Sequence, residues 1–95
     1  YTPSQGVLSL RAKMVGYYAE YGIDISPDEI IITSGGSEAI MFAYMACLNP
    51  GDEIIITDPS YANYMAFAIS CGAIINPVKT NIVTVFNLPS VEEFE

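Results

Sequence analysis

Histidine and tryptophan are absent from this 95-residue chain, cysteine occurs twice, and lysine and arginine together number three. Without histidine, no Ser-His or Cys-His pair exists within the chain, so nucleophilic catalysis of that kind is excluded. Two cysteines, no Cys-x-x-Cys and no imidazole also exclude a zinc site. Cys47 and Cys71 both fall in apolar helical context and read as two buried free thiols in a reducing cytoplasm. Three basic residues face eleven acidic ones, for a net charge of −8. Binding to phosphate backbones or anionic lipid needs clustered cations, so nucleic acid and membrane surfaces are not expected partners. No apolar run reaches the roughly 18 residues of a membrane span. The N-terminus carries no signal-peptide pattern. It also lacks a starting Met, as expected of a processed or excised piece.

What is present is apolar. Hydrophobic residues make up 52% of the chain and charged residues only 15%, enough for one small domain with a modest core. Val7, Leu10, Met14, Tyr17 and Tyr21 recur at three- and four-residue spacings, which predicts an amphipathic helix over residues 7–21 ended by Gly22. Ser26-Pro27-Asp28-Glu29 predicts a turn. Ile30-Ile31-Ile32-Thr33 is β-branched with no polar alternation, so a strand covered on both faces is expected. Ala39 to Leu48 predicts a nearly buried helix, and Asn49-Pro50-Gly51-Asp52 a turn. Ile54-Ile55-Ile56-Thr57 repeats the first strand pattern. Tyr61, Tyr64, Met65, Ala68 and Ile69 form another helical stripe, closed by Gly72, and Ala73 to Val78 reads as a third strand. Residues 80–88 read as extended. Pro89 to Glu95 reads as the first turn of a helix with Ser90 at its N-cap. A helix followed by strand-helix-strand-helix-strand is the α/β pattern.

Three local constellations carry chemistry. Thr33-Ser34-Gly35-Gly36-Ser37 lies between a strand and a helix. Its glycines admit close backbone approach, Ser37 offers a cap and a hydroxyl, and the first-turn N–H groups favour an anion. The same residues also suit a plain capped turn. No Gly-Lys-Ser/Thr and no Gly-x-Gly-x-x-Gly is present, so neither a Walker loop nor a dinucleotide fingerprint is implied. Asp58-Pro59-Ser60-Tyr61 follows the second strand, where ligands sit in open α/β sheets. Tyr61 either stacks on a flat heterocycle there or packs its own helix. Tyr1-Thr2-Pro3-Ser4-Gln5-Gly6 precedes Leu10-Arg11, and Arg11 reads as a salt-bridged surface residue. Lys13 and Lys79 read as solvated.

In this order and spacing the motifs resemble class I/II aminotransferases of pyridoxal-phosphate fold type I, aspartate aminotransferases most of all. The resemblance runs over about residues 1–78. It also takes in Leu48-Asn49-Pro50-Gly51-Asp52-Glu53 and the later Asn87 to Glu95 segment. It implies that residues 1–95 are a fragment of a coenzyme-binding large domain, the strand-helix-strand-helix-strand part of a mixed seven-stranded, three-layer α/β/α sheet. By the same resemblance Gly35, Gly36 and Ser37 hold the phosphate of pyridoxal 5'-phosphate, and Tyr61 stacks on its ring. Tyr1 reaches the coenzyme of the neighbouring subunit, which implies a homodimer. The implied reaction moves an amino group between an amino acid and a 2-oxo acid.

The lysine that forms the Schiff base, the acid at the pyridine nitrogen and the arginine for the substrate carboxylate have no match here. The chain therefore carries no catalytic residue and is expected to be inactive alone. In the family sheet, the strand before the glycine loop has neighbours drawn from later sequence. Residues 30–33 should accordingly lack a partner, with self-association or rearrangement the result. Other pyridoxal-phosphate enzymes of the fold, a lyase, decarboxylase or synthase, share these features. So does a non-enzymatic coenzyme-sensing regulator domain, and a different phosphate-binding α/β domain remains the more distant alternative.

Overall fold

Among the described residues two strands pair, rather than the expected three. The computed structural model describes residues 1–84 and 87–94. The chain forms two compact units, Tyr1–Gly36 and Ser37–Glu95.

In the first unit, helix α1 spans Leu8–Ala19. It stops where Gly22 takes a φ of +76°, a value that costs glycine little. The Gly22 and Ile23 N–H groups then bond back to the carbonyls of Ala19 and Tyr18. The predicted stripe is present but uncovered. Val7, Leu10, Tyr17 and Tyr21 are exposed, and the buried residue of α1 is Arg11. A single helix beside short loops offers no surface wide enough to cover such a stripe. Ser26 and Glu29 form a capping box around the single 3-10 turn Pro27–Glu29, as the turn prediction required. Ser26 donates to Glu29 Oε2 from its backbone N at 2.8 Å and from its hydroxyl at 3.0 Å.

Residues 30–33 do not form a strand. Ile30 is extended and buried, but Ile31 is 60% exposed, so the two-sided cover expected of this run is missing. A β-strand exists only as one member of a ladder. Within this unit the run makes isolated backbone bonds instead, Ile30 N–H to the Pro27 carbonyl at 3.4 Å and Ile32 N–H to the Gln5 carbonyl at 2.9 Å.

Helix α2 covers Gly36–Cys47, all but its first residue in the second unit, which continues with strand β1 Glu53–Asp58, helix α3 Ala62–Ser70 and strand β2 Ile74–Lys79. β1 and β2 run parallel, with Ile54 opposite Ile75 and Ile56 opposite Pro77. The β-α-β order is therefore realised, and the architecture is α/β. The Asn49–Asp52 turn positions the sheet edge. Asp52 Oδ2 accepts from Asn49 N at 2.7 Å, while the Asp52 carbonyl accepts from Ile74 N at 2.8 Å. The core is small: Ile56, Ala68 and Ala73, with Tyr44, Leu48, Ile54, Met65 and Ile75 packed against it. Ala68 is 0% exposed, and its small side chain lets α3 approach the sheet closely.

The nearly buried helix predicted at Ala39 to Leu48 is corrected. No residue of α2 is buried, and Met45 is 66% exposed. Only the face carrying Tyr44 has a surface to cover. For the same reason Cys47 is exposed and Cys71 half-buried, so the expectation of two buried thiols fails. Residues 82–84 form a 3-10 turn instead of continuing extended. Val85 and Phe86, within the same predicted stretch, lie outside the described residues. Ser90 sits before the 3-10 turn Val91–Phe94, its N–H and hydroxyl both donating to Glu93 Oε1. The predicted helical start thus amounts to one 3-10 turn. Glu95, its last residue, lies outside the described residues.

Candidate functional site

Parallel strands bring their carboxyl ends to one edge, and a cavity of about 360 Å³ lies there in the second unit. Thr57, Pro59, Ser60 and Tyr61 line it from the end of β1, Thr80 from the end of β2, and Leu88 from beyond. The Thr80 N–H donates to the Asp58 carbonyl at 2.7 Å and ties the two strand ends together. The Asp58–Pro59 bond is cis.

Tyr61 is the N-cap residue of α3, with extended backbone and a ring 60% exposed. Its hydroxyl accepts from Asn63 Nδ2 at 3.0 Å, and its ring meets Tyr64 edge-on at 5.6 Å. Neither contact encloses the ring, which keeps most of its surface exposed. Both partners belong to α3, so Tyr61 does touch its own helix, while a ring 60% exposed keeps surface free for a flat ligand. Ser60 Oγ is buried and finds no hydrogen-bond partner among the described residues. Sequence reasoning did not single out Ser60, because a hydroxyl after proline looks like any loop residue.

Gly35 belongs to a bend, and α2 begins at Gly36. Ser37 therefore lies inside the first helical turn and is not the cap that was expected. Its side chain is exposed. Thr33 Oγ1 donates to the Gly35 carbonyl at 3.0 Å and fixes the bend. A Cβ added at Gly35 or Gly36 meets nothing within 4 Å beyond the adjoining backbone. The space beside these two glycines is thus uncrowded, at the start of a 12-residue helix whose first-turn N–H groups and dipole favour an anion. Glu38 in the same turn competes with such an anion, since its carboxylate also satisfies the dipole.

Tyr1 is fully exposed at the end of the N-terminal arm. Tyr1, Gly35 and Gly36 belong to the first unit, Ser37 and Tyr61 to the second. Lys13 and Lys79 are exposed, as expected. No group of three or more histidine, cysteine, aspartate or glutamate side chains that could hold a metal exists among the described residues. No helix of the described residues is long and apolar enough to cross a membrane.

Arg11 is the residue the sequence misjudged most. It is 7% exposed, not a surface residue. Its Nε donates to the Gly6 carbonyl at 3.2 Å and one terminal nitrogen donates to the Pro27 carbonyl. Asp28 stands 3.6 Å away. The salt bridge was expected; the burial was not. Nothing local in the sequence signals it, because both carbonyl partners belong to the backbone.

Comparison with known proteins identifies the family. The model of the family "Aminotransferase class I and II" matches residues 1–87. An aspartate aminotransferase of Thermotoga maritima is 40% identical over 98 residues, spanning 100% of this chain and 25% of that protein. A (5-formylfuran-3-yl)methyl phosphate transaminase of Methanocaldococcus jannaschii is 40% identical over 94 residues, 98% of this chain and 24% of its own length. The crystal structure of the Thermotoga maritima enzyme superposes with a TM-score of 0.93 at 38% identity, covering 99% of this chain and 25% of that one. The alanine aminotransferase of Pyrococcus furiosus superposes at 0.88 with 29% identity. The chain spans about a quarter of the length of the curated relatives it matches. With the family model matched from Tyr1 onward and the α/β architecture shared with these enzymes, this chain belongs to the class I and II aminotransferases.

Proposed function

We propose that the full-length protein is a pyridoxal-phosphate-dependent aminotransferase acting between an amino acid and a 2-oxo acid, and that residues 1–95 are a piece of its coenzyme-binding large domain. The observation that carries this reading is the open glycine bend at the start of α2, where an added Cβ at Gly35 or Gly36 would meet nothing within 4 Å beyond the adjoining backbone. A phosphate needs that kind of approach to backbone N–H groups. The exposed ring of Tyr61 beside a strand-end cavity fits the flat heterocycle of the same group.

In this reading the Gly35 and Gly36 N–H groups and the Ser37 hydroxyl hold the phosphate. Tyr61 supports the ring from one face. Tyr1 reaches the phosphate held by the neighbouring subunit, so the working enzyme is a homodimer in the cytoplasm. Pyridoxal 5'-phosphate supplies, when bound, an electron sink for charge developing at the substrate's α-carbon. The exposed lysines Lys13 and Lys79 are not suited to hold it covalently, since both stay hydrated. That lysine, the acid for the ring nitrogen, the arginine for the substrate carboxylate and the rest of a seven-stranded sheet belong to the remainder of the protein. The 95-residue piece alone is inactive.

The test is absorbance between about 300 and 450 nm on adding pyridoxal phosphate, with borohydride trapping and mass spectrometry, on this piece and on the full-length protein. A lysine adduct in the long protein and none here supports the reading. A specific adduct on Lys13 or Lys79 overturns it. Ser37→Ala in the full-length enzyme should weaken coenzyme binding by about 1–2 kcal/mol, the value of a hydrogen bond to a charged group. Unchanged affinity removes Ser37 from the phosphate site.

A further inference from the structure

Among the described residues, one charged side chain is buried, and it sits where the two ends of the first unit meet. A guanidinium taken out of water must have its donors satisfied, or burial costs several kcal/mol. Arg11 satisfies them mainly with backbone. Nε donates to the Gly6 carbonyl, five residues before it, and a terminal nitrogen donates to the Pro27 carbonyl, sixteen residues after it. Asp28 balances the charge from 3.6 Å but is almost fully exposed, so it adds little energy.

Each carbonyl belongs to a segment that leads elsewhere. The Gly6 N–H closes a turn onto the Pro3 carbonyl at 2.9 Å, which orders the arm to within two residues of Tyr1. The Pro27 carbonyl also accepts from Ile30 N, where the run toward the glycine bend begins. That run ends at Thr33, whose hydroxyl holds the Gly35 carbonyl. Arm and run are also joined directly. Ile32 N–H donates to the Gln5 carbonyl, and Gly6 lies so close to Ile32 that an added Cβ would fall 2.6 Å from its side chain.

We propose that Arg11 is a positioning residue that fixes, from inside the first unit, both the arm ending in Tyr1 and the run ending in Gly35 and Gly36, and so sets how tightly the coenzyme phosphate is held. This rests on the reading above that those residues face that phosphate. The planar fork of arginine reaches two carbonyls in different directions at once, and the single ammonium of lysine does not. In the homodimer, one Arg11 then acts on two sites. Its run serves its own protomer and its arm serves the partner.

The experiment uses the full-length dimer. Arg11→Lys should raise the pyridoxal phosphate dissociation constant about tenfold, the size of one charge-assisted hydrogen bond. Hydrogen exchange should speed up in peptides covering residues 1–6 and 30–36, with dimer mass unchanged and kcat at saturating coenzyme near the parent value. Lys13→Gln, an exposed neighbour on α1, should leave affinity unchanged. If the lysine variant does not assemble, Arg11→Gln, neutral and shorter, carries the same test. A heterodimer with one Arg11→Lys protomer discriminates best. Weakening at both sites supports the proposal, and weakening confined to one site reduces Arg11 to a local structural residue and overturns it. Parent affinity in Arg11→Lys also overturns it. Tyr1→Phe separates the two ideas. If it weakens binding while Arg11→Lys does not, the coenzyme reading stands and this inference fails. If Tyr1→Phe has no effect, the reading of Tyr1 itself is wrong.

Discussion

Replacing Gly6 by alanine should damage the first unit more than any other single methyl group added there. Gly6 has a φ of +98°, a conformation that side-chain-bearing residues adopt at a cost of about 1–3 kcal/mol. The added Cβ would also lie 2.6 Å from both Cβ and Cγ1 of Ile32. Ile32 Cβ is anchored to the backbone and cannot swing away, so the run must shift, with an overpacking cost of about 1–3 kcal/mol. The two costs act on one hydrogen bond, Ile32 N–H to Gln5 carbonyl, because both residues flank the contact. The combined loss should be about 2–6 kcal/mol of local opening free energy. Hydrogen exchange by mass spectrometry on peptides covering residues 28–36 of the full-length protein reads that opening directly. Ile32→Gly removes the obstruction and leaves the φ cost. In that background Gly6→Ala should lose only about half as much, and the coupling appears as non-additivity in a double-mutant cycle. If Gly6→Ala costs less than about 1 kcal/mol, the close approach of arm and run is not what holds this unit, and the argument from Arg11 loses its support.

The second unit gives a matching core prediction. Ala68→Leu puts three more carbons where α3 meets β1 and β2, and should cost about 1–3 kcal/mol by chemical denaturation, while Ser70→Ala on the exposed end of α3 should cost far less. The capping box predicts a pH dependence. The Ser26 N–H, and then the Ser26 hydroxyl, hold the Glu29 carboxyl below its ordinary value of 4.5. A depressed acid lends its stabilisation above the unfolded value and loses it as pH falls through the folded one. Exchange protection of the Ser26 amide should therefore be flat at neutral pH and fall only below about 4.5, and Glu29→Gln should remove that dependence. The 95-residue piece by itself should elute from size exclusion as oligomers or a heterogeneous mixture. Its two-stranded sheet leaves both outer edges open, and Ile31, Ile55, Met45 and Ile69 are exposed. A monodisperse monomer with well-protected amides would refute this.

Much of the second unit was legible because its signals are local. Asn49-Pro50-Gly51-Asp52 dictates a turn, Gly72 ends α3, and the Ile54 to Thr57 and Ala73 to Val78 runs find each other as β1 and β2. Both of those runs have a partner within reach, joined by one helix. The run Ile30 to Thr33 is written in almost the same letters as Ile54 to Thr57, yet forms no strand. Composition states that a residue suits a ladder; whether a ladder exists depends on chain that lies elsewhere. The resemblance anticipated this, since it assigned the neighbours of residues 30–33 to later sequence.

The same distinction explains the site. Tyr61 was legible because a chain break at the carboxyl end of a strand is a local feature with a general use, and the glycine bend because paired glycines before an apolar run mark a chain break whether or not a strand precedes it. The cap was misread by a small margin. Gly36 enters the helix itself, so Ser37 falls within the first turn, and its hydroxyl faces outward from there. The burial of Arg11 was missed, though its ion pair was not, for a deeper reason. Its partners are two carbonyl oxygens, and a carbonyl has no letter in the sequence. A rule that sorts arginine to the surface by charge works when the counter-charge is a side chain, and it fails when the backbone supplies the solvation. The chain's scarcity of cations makes this placement more informative. With three basic residues in all, and two of them exposed lysines, the one arginine is used where a planar fork joins two segments. Removing Asp28, the visible partner, should therefore do less harm than shortening Arg11 to lysine, although a count of ion pairs would rank them the other way.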